Sequence, residues 1–289
     1  MSVVPASSVP MRFVPRVTVV VIVRNGERFL GEALESIVAQ RFDGWEVVVV
    51  DDGSSDGSRA VAEAFASRMP ERFRVATHDG GANLGMSASR NLGIALARGE
   101  LVTFLDHDDA MLPEKLGRQV ALLDAHADAA AVVGPNLRWL WWHEGAPDDE
   151  PQDLGTNGRT LLEPPGLLPV FLTRTSATPQ APMVRREAIL AVGGFDDEFR
   201  DMYEDQVFLA KLFLDHRVLV IDEVLQRYRQ HDDSCVRRAH RERRHLHARA
   251  RFLRWLAARP GLPRGLADLV ARERRRTFWA RLRTALRVR

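Results

Sequence analysis

Across its first half the chain alternates short β-branched apolar runs with stretches in which apolar residues recur every three or four positions. The first run, Val17–Val23, is apolar or β-branched throughout, which suits a strand covered on both faces in a parallel sheet. Phe29, Leu30, Ala33, Leu34, Ile37 and Val38 then form the apolar stripe of a helix. Residues 46–50, 74–77, 101–105 and 130–133 predict further strands. Helices are predicted from about Ser58, over 86–97 with Gly99 as the stop, and after Pro113, whose missing amide proton a first turn tolerates. This order predicts an α/β fold with a doubly wound, mostly parallel sheet that binds ligands beyond the carboxyl ends of its strands.

From 135 to 165 the pattern breaks into a tryptophan-bearing stretch followed by Pro, Gly and acids, which reads as a surface insertion. Its Trp139-Leu140-Trp141-Trp142 patch suits either burial against that insertion or stacking on a sugar ring. Helices return at 186–192 and 204–215, with strands at 218–221 and 224–229, and no internal repeat is present.

Charge then divides the chain. Residues 237–289 hold eighteen arginines, no lysine and three acids, a net +15, so the overall +2 leaves −13 on residues 1–236. The expected organisation is a loose leader over 1–15, one α/β domain over 16–236 and an arginine-rich helical tail over 237–289. No apolar stretch approaches the length of a membrane-spanning helix, and the first fifteen residues lack the basic-then-apolar pattern of a signal peptide. A single cysteine, Cys235, excludes an internal disulfide, and its polar flanks give it no base. The expectation is a soluble, cytoplasmic protein.

Two acidic motifs fall at predicted strand ends. Asp51-Asp52-Gly53-Ser54-Ser55-Asp56-Gly57-Ser58 offers carboxylates and hydroxyls that could accept from a base N–H or a ribose hydroxyl; equally, it could be a turn in which Asp56 caps a helix. Asp106-His107-Asp108-Asp109 follows an apolar strand. Unpaired anions there are costly, so a cation is expected, with magnesium and manganese both suited to carboxylate oxygen. Capping of the next helix by Asp109 and pairing of the others with arginine is the plainer reading.

Together with the segments NLGMSASRNLGIALARGELVTFLDHDD (83–109), GGFDDEF (193–199), YED (203–205) and YRQHDDS (228–234), these motifs resemble those of family 2 glycosyltransferases over about residues 16–235. The resemblance implies a GT-A, Rossmann-like fold and an inverting transfer from a nucleotide-diphosphate sugar to a glycan, lipid-linked or other hydroxyl acceptor, and a uridine donor is the expectation. By resemblance Asp52, helped by Asp51, contacts the base, Asp106 the ribose and Asp108 the metal, with His231 as a further metal ligand. Imidazole tilts the metal from magnesium towards manganese. Asp205 matches the general base, beside Glu204. Arg90 either offsets the acids, approaches phosphate or pairs at the core edge, and Gly193-Gly194-Phe195 would turn the chain before the acceptor side. The family's Pro and aromatic before Asn25 are replaced by Ile22-Val23-Arg24, so either Arg24 stacks its guanidinium on the base in their place or that contact is lost. Gln206-Val207 replaces the usual aromatic-acid continuation after the acidic pair.

The tail predicts two amphipathic helices, one with Phe252, Leu253, Trp255 and Leu256 and one with Phe278, Trp279, Leu282 and Leu286, separated by Pro260 and Pro263. Such helices suit peripheral contact with an anionic membrane, packing on the acidic domain, or a second subunit; no nucleic-acid-reading module accompanies the charge. The alternative from another class is a catalytically silent sugar-nucleotide-binding or scaffolding protein. A dinucleotide-dependent dehydrogenase is disfavoured because the turn after Val23 lacks G-x-G-x-x-G.

Overall fold

A computed structural model describes residues 13–140, 149–155, 158–174, 179, 182–200 and 202–286. The N-terminal region runs β1 (Val17–Val23), α1 (Glu27–Val38), β2 (Trp45–Asp51), α2 (Ser58–Arg68), β3 (Phe73–Thr77), α3 (Met86–Leu96), β4 (Leu101–Asp106), β5 (Ala110–Met111), α4 (Lys115–Ala125) and β6 (Ala131–Val133). Then come β7 (Leu137–Trp139), β8 (Glu150–Pro151), β9 (Thr160–Leu162), α5 (Leu168–Thr173), β10 (Met183–Arg185), α6 (Arg186–Ala191), α7 (Glu204–Asp215), β11 (Val218–Val220) and β12 (Gln226–Arg229). Three helices finish the described chain: α8 (Cys235–Arg241), α9 (His245–Ala257) and α10 (Arg264–Leu286).

Eight strands form the main sheet in the order β3-β2-β1-β4-β10-β6-β11-β9. The β3-β2-β1-β4 block is parallel, and β10 enters antiparallel between β4 and β6. Both faces are covered. Val20, Ile22, Val48, Val50, Val102 and Phe104 belong to one apolar cluster, while Val19, Val21, Val47, Val49, Leu101 and Leu105 belong to the other. That arrangement explains why β1 and β2 read as unbroken apolar runs rather than alternating ones. Gly93 is required where α3 crosses β1, since a Cβ there would lie 2.3 Å from Val20 Cγ1.

The register sets the site. Val23 lies opposite Asp51 and Ile22 opposite Asp106, so three parallel strands end level and deliver both acidic motifs to one edge. A second sheet, β5-β12-β7-β8, stands beside that edge.

One sequence expectation changes here, and one of the alternatives left open for the tail is observed. The 135–165 stretch is no mere surface insertion, because β7 pairs with β12, β9 closes the main sheet, and Trp139 is buried. Trp141 and Trp142 lie outside the described residues. The first tail helix packs on the body: Phe252, Leu253 and Leu256 of α9 and Leu266 and Val270 of α10 share one cluster with Phe208 and Leu212 of α7. The Trp255 indole also donates to Asp196 Oδ2 at 2.9 Å. Only the far end of α10, with Phe278, Trp279, Leu282 and Leu286, stays exposed.

Candidate functional site: a carboxylate-lined cleft

The loops after β1 and β2 interlock. Asp56 accepts from the Glu27 amide at 3.1 Å and Glu27 Oε2 accepts from the Gly57 amide at 2.9 Å, so each loop caps the other's helix. Asn25, at φ 52, receives the Ser55 amide on its side-chain oxygen at 2.8 Å. Asp51 and Asp52 are both buried at this strand end. Asp51 accepts from Ser54 N at 3.0 Å, while Asp52 receives the amides of Leu84 at 2.8 Å and Gly85 at 3.0 Å. Asp52 thereby pins the glycine loop, whose other side Arg200 holds through the carbonyls of Leu84 at 3.0 Å and Asn83 at 2.8 Å. Arg24 is exposed at the end of β1.

The acidic tetrad is organised by Arg229. Its backbone N–H donates to Asp109 Oδ1 at 3.0 Å, its Nε to the Asp108 carbonyl at 2.8 Å, and its Nη2 to Glu32 at 2.5 Å. The guanidinium lies 3.9 Å from the Trp139 ring and 4.6 Å from that of Phe29. Two residues on, His231 Nε2 meets Asp108 Oδ2 at 2.9 Å. Burial pushes Asp108 up, but the His231 hydrogen bond and the neighbouring His107 and His231 charges outweigh it and hold the carboxyl below its ordinary range. Burial and the Asp108 and Asp106 charges instead drive Asp109 well above that range. The donor set of Asp108 and His231, one hard oxygen and one imidazole nitrogen, fits a divalent cation. Among the described residues no cluster of three or more such side chains forms, so further ligands would have to come from a bound ligand or water.

Arg90 bridges the two sides. Buried on α3, it donates to Asp106 at 2.7 Å and to Glu204 at 2.8 Å. Both arms are thus engaged within the protein, the charge-offsetting arrangement. Glu204 is pushed up to about 7, first by burial and then by Asp205, against the pull of Arg90. Burial also raises Asp205, with Arg90 opposing.

Tyr203, just before this pair, has φ 67, a left-handed conformation that a bulky residue seldom adopts. What holds it there is the tail. The Phe252 ring of α9 stacks on Tyr203 at 5.3 Å, and the Arg249 guanidinium lies beside the phenol. Arg249 is itself fixed by Glu273 of α10 at 3.0 Å and by the Leu172 carbonyl at 2.7 Å.

These groups border one cleft of about 800 Å³, lined among others by Asp106, Asp108, Tyr203, Glu204, Asp205 and Tyr228. A narrow inner pocket of about 70 Å³ continues behind it, where Arg90, Asp106 and Asp205 meet Phe195. Gly194, at φ 61, makes the turn that seats Phe195. Asp106, Asp108 and Asp205 therefore converge, with His231 touching Asp108 and Arg90 touching Asp106. Asp51, Asp52 and Arg24 lie further along the same sheet edge and do not line that cleft. Arg229, Tyr203 and the Asp56–Glu27 exchange escaped the sequence reading. Arg229 sits two residues before His231 in the YRQHDDS segment, but its ring partners are about 90 and 200 residues away in sequence, which no local pattern reveals.

The sequence model of glycosyl transferase family 2 matches residues 18–161. Among similar proteins, EpsE of Bacillus subtilis (strain 168), named as a glycosyltransferase, is 26% identical over 227 residues, 78% of this chain and 77% of that protein. EpsJ of the same organism, also so named, is 30% identical over 230 residues, 77% of this chain and 63% of its own length. EpsH, again from that organism and so named, is 41% identical over 100 residues, and there the chain spans only 28% of the relative. Among solved structures, residues 1–349 of Staphylococcus aureus TarS in complex with UDP-GlcNAc superpose with a TM-score of 0.69 at 21% identity, over 92% of this chain and 73% of that one. The mannosyltransferase PcManGT of Pyrobaculum calidifontis, in complex with GDP-Man and Mn2+, gives 0.62 at 20% identity, over 90% and 69%.

Proposed function

Because the chain belongs to glycosyl transferase family 2, we propose that its cleft moves a sugar from a nucleotide diphosphate, uridine diphosphate in the first instance, to an acceptor hydroxyl with inversion at the anomeric carbon. The observation that carries this reading is the convergence of Asp205 with Asp106 and Asp108 on one cleft at the carboxyl ends of parallel strands.

Asp205 takes the proton of the acceptor hydroxyl as that oxygen bonds to the anomeric carbon. The carbon–oxygen bond to the diphosphate breaks, and its electron pair leaves with the nucleoside diphosphate. Burial beside Glu204 makes Asp205 a stronger base than a solvated aspartate, and Arg90 restrains the charge that Glu204 and Asp106 bring. Asp106 receives the ribose, while Asp51, Asp52 and Arg24 border the base, with Arg24 supplying the stacking plane that an aromatic offers elsewhere. Asp108 and His231 would hold a divalent ion, manganese before magnesium, which when bound neutralises the departing diphosphate. The complex of PcManGT with GDP-Man and Mn2+ supports the choice of a divalent ion for this fold. The acceptor in this reading is a hydroxyl of a glycan, lipid-linked or other acceptor, met on the cytoplasmic side.

Isothermal titration of the full chain with UDP- and GDP-sugars, with and without manganese, tests the reading. Manganese-dependent binding of a uridine donor, together with donor hydrolysis or transfer that Asp205→Asn removes, supports it. Donor binding that leaves Asp205→Asn equal to the native protein in every assay would mark a silent binding protein instead.

A further inference from the structure

The last helix carries two faces. Towards the body, Leu266, Val270, Glu273 and Thr277 are buried on one stripe. At roughly 100° per residue, Phe278, Trp279, Leu282 and Leu286 form a second stripe about 100° wide on the opposite side of the cylinder. All four are exposed, by 58%, 54%, 39% and 65% respectively. Only eight large apolar side chains are exposed among the described residues, and half of them fall in this nine-residue stretch, so they form a patch rather than ordinary surface scatter.

Cations frame the patch. From 272 to 283 the helix carries Arg272, Arg274, Arg275, Arg276, Arg281 and Arg283 against one acid, Glu273. That acid is buried beneath Arg249 and Arg276, at 3.0 and 2.8 Å, and offers nothing to the surface. We infer that the outer face of α10 docks on an anionic lipid bilayer. The rings and leucines would enter the headgroup boundary while the long arginine stems lie along the apolar surface with their guanidinium groups on lipid phosphate. Pairing this stripe with that of a second copy would instead bring two strongly basic segments together, which like-charge repulsion opposes.

The position fits a membrane-proximal enzyme. α10 lies along α9, and α9 supplies His245, Leu246 and Arg249 to the wall of the cleft. A docked α10 therefore brings the cleft close to the headgroups, where a lipid-linked acceptor would present its sugar. Only that choice of acceptor rests on the transfer reading; lipid binding is read separately.

Co-sedimentation of the full chain with phosphatidylglycerol/phosphatidylcholine vesicles and with pure phosphatidylcholine vesicles, at low and at high salt, tests this. Binding should require phosphatidylglycerol and weaken with salt. The double variant Phe278→Ser/Trp279→Ser should lose at least tenfold in affinity, and each of Arg272, Arg274, Arg275 and Arg283, exposed and outside the Glu273 pairing, about fivefold at low salt when changed to glutamine. Because these side chains are exposed, melting temperature and donor binding should stay unchanged, which separates lost docking from misfolding and from failure of the transfer reading. Equal binding to neutral vesicles, no binding at low salt, or a concentration-dependent dimer that the double variant abolishes would each overturn the inference.

Discussion

The two sides of the cleft are built by different means. On the proposed donor side, β1, β2 and β4 end level, the loops beyond β1 and β2 hold each other through Asp56 and Glu27, Asp52 pins the glycine loop, and Arg229 of β12 holds the loop beyond β4. On the acceptor side, Glu204 and Asp205 stand on α7, whose first turn is held by groups from distant parts of the chain: Arg90 of α3, Phe252 and Arg249 of α9, and through them Glu273 of α10. A strand end is positioned by its ladder. A helix start must be positioned by what packs on it, so the acceptor side depends on the tail while the donor side does not.

The largest effect that would separate the two sides is Asp205→Asn. Removing the base should lower kcat by about 10²–10⁴ while donor affinity changes little, measured by initial rates beside titration of the donor. An equal loss of donor binding would show that the two sides are not independent.

Arg90→Met attacks the bridge between them. Glu204 and the guanidinium are both buried, so stripping the cation from the pair should cost about 3–5 kcal/mol by urea unfolding. Because Arg90 also lowers Asp205, any surviving activity should need higher pH than the native enzyme. Unchanged stability would mean that the bridge matters little.

A subtler variant, Phe252→Leu, keeps an apolar side chain in place and should cost under about 1.5 kcal/mol in stability. It removes the ring that stacks on Tyr203. The expected outcome is a severalfold fall in kcat with the donor KM intact, because the left-handed turn before Asp205 loses its clamp. If kcat stays native, the tail contributes stability alone.

Legibility divided along the same line. β1, β2, β4, α1 and α7 are plain in the sequence because their apolar runs, and the apolar stripe of α1, match their observed burial, and the acidic motifs sit at strand ends where polar residues interrupt apolar runs. β10 was missed. It is three residues long, Met183–Arg185, and runs directly into α6, so it lacks the all-apolar run that made the equally short β6 and β11 readable. Arg229 and Tyr203 stood in the recognised segments, yet their roles come from Trp139, Phe29 and Phe252, contacts that only folding creates. Trp139 itself reads as part of a surface insertion because Pro, Gly and acids follow it, whereas it is a buried residue of β7 with the guanidinium groups of Arg227 and Arg229 over its ring.

The smallest effect is also the sharpest test of burial on the acceptor side. Glu204, raised from an ordinary 4.5 to about 7, and Asp205, raised in the same direction, bind protons more tightly in the folded chain than in the unfolded one. Their contribution to stability is therefore fully present below the unfolded values and is lost as pH climbs from about 4.5 towards 7. The proposed mechanism needs Asp205 without its proton, so kcat should climb as Asp205 loses that proton, above the ordinary aspartate range. Across the raised carboxyl range the enzyme should therefore gain rate while losing a little stability, with opposite slopes in a pH–rate profile and a pH–melting profile. Glu204→Gln should flatten the melting slope, since a neutral amide has no proton to lose there. A melting slope that is unchanged in this variant would mean that Glu204 is solvated, and that the acceptor side is no drier than the donor side.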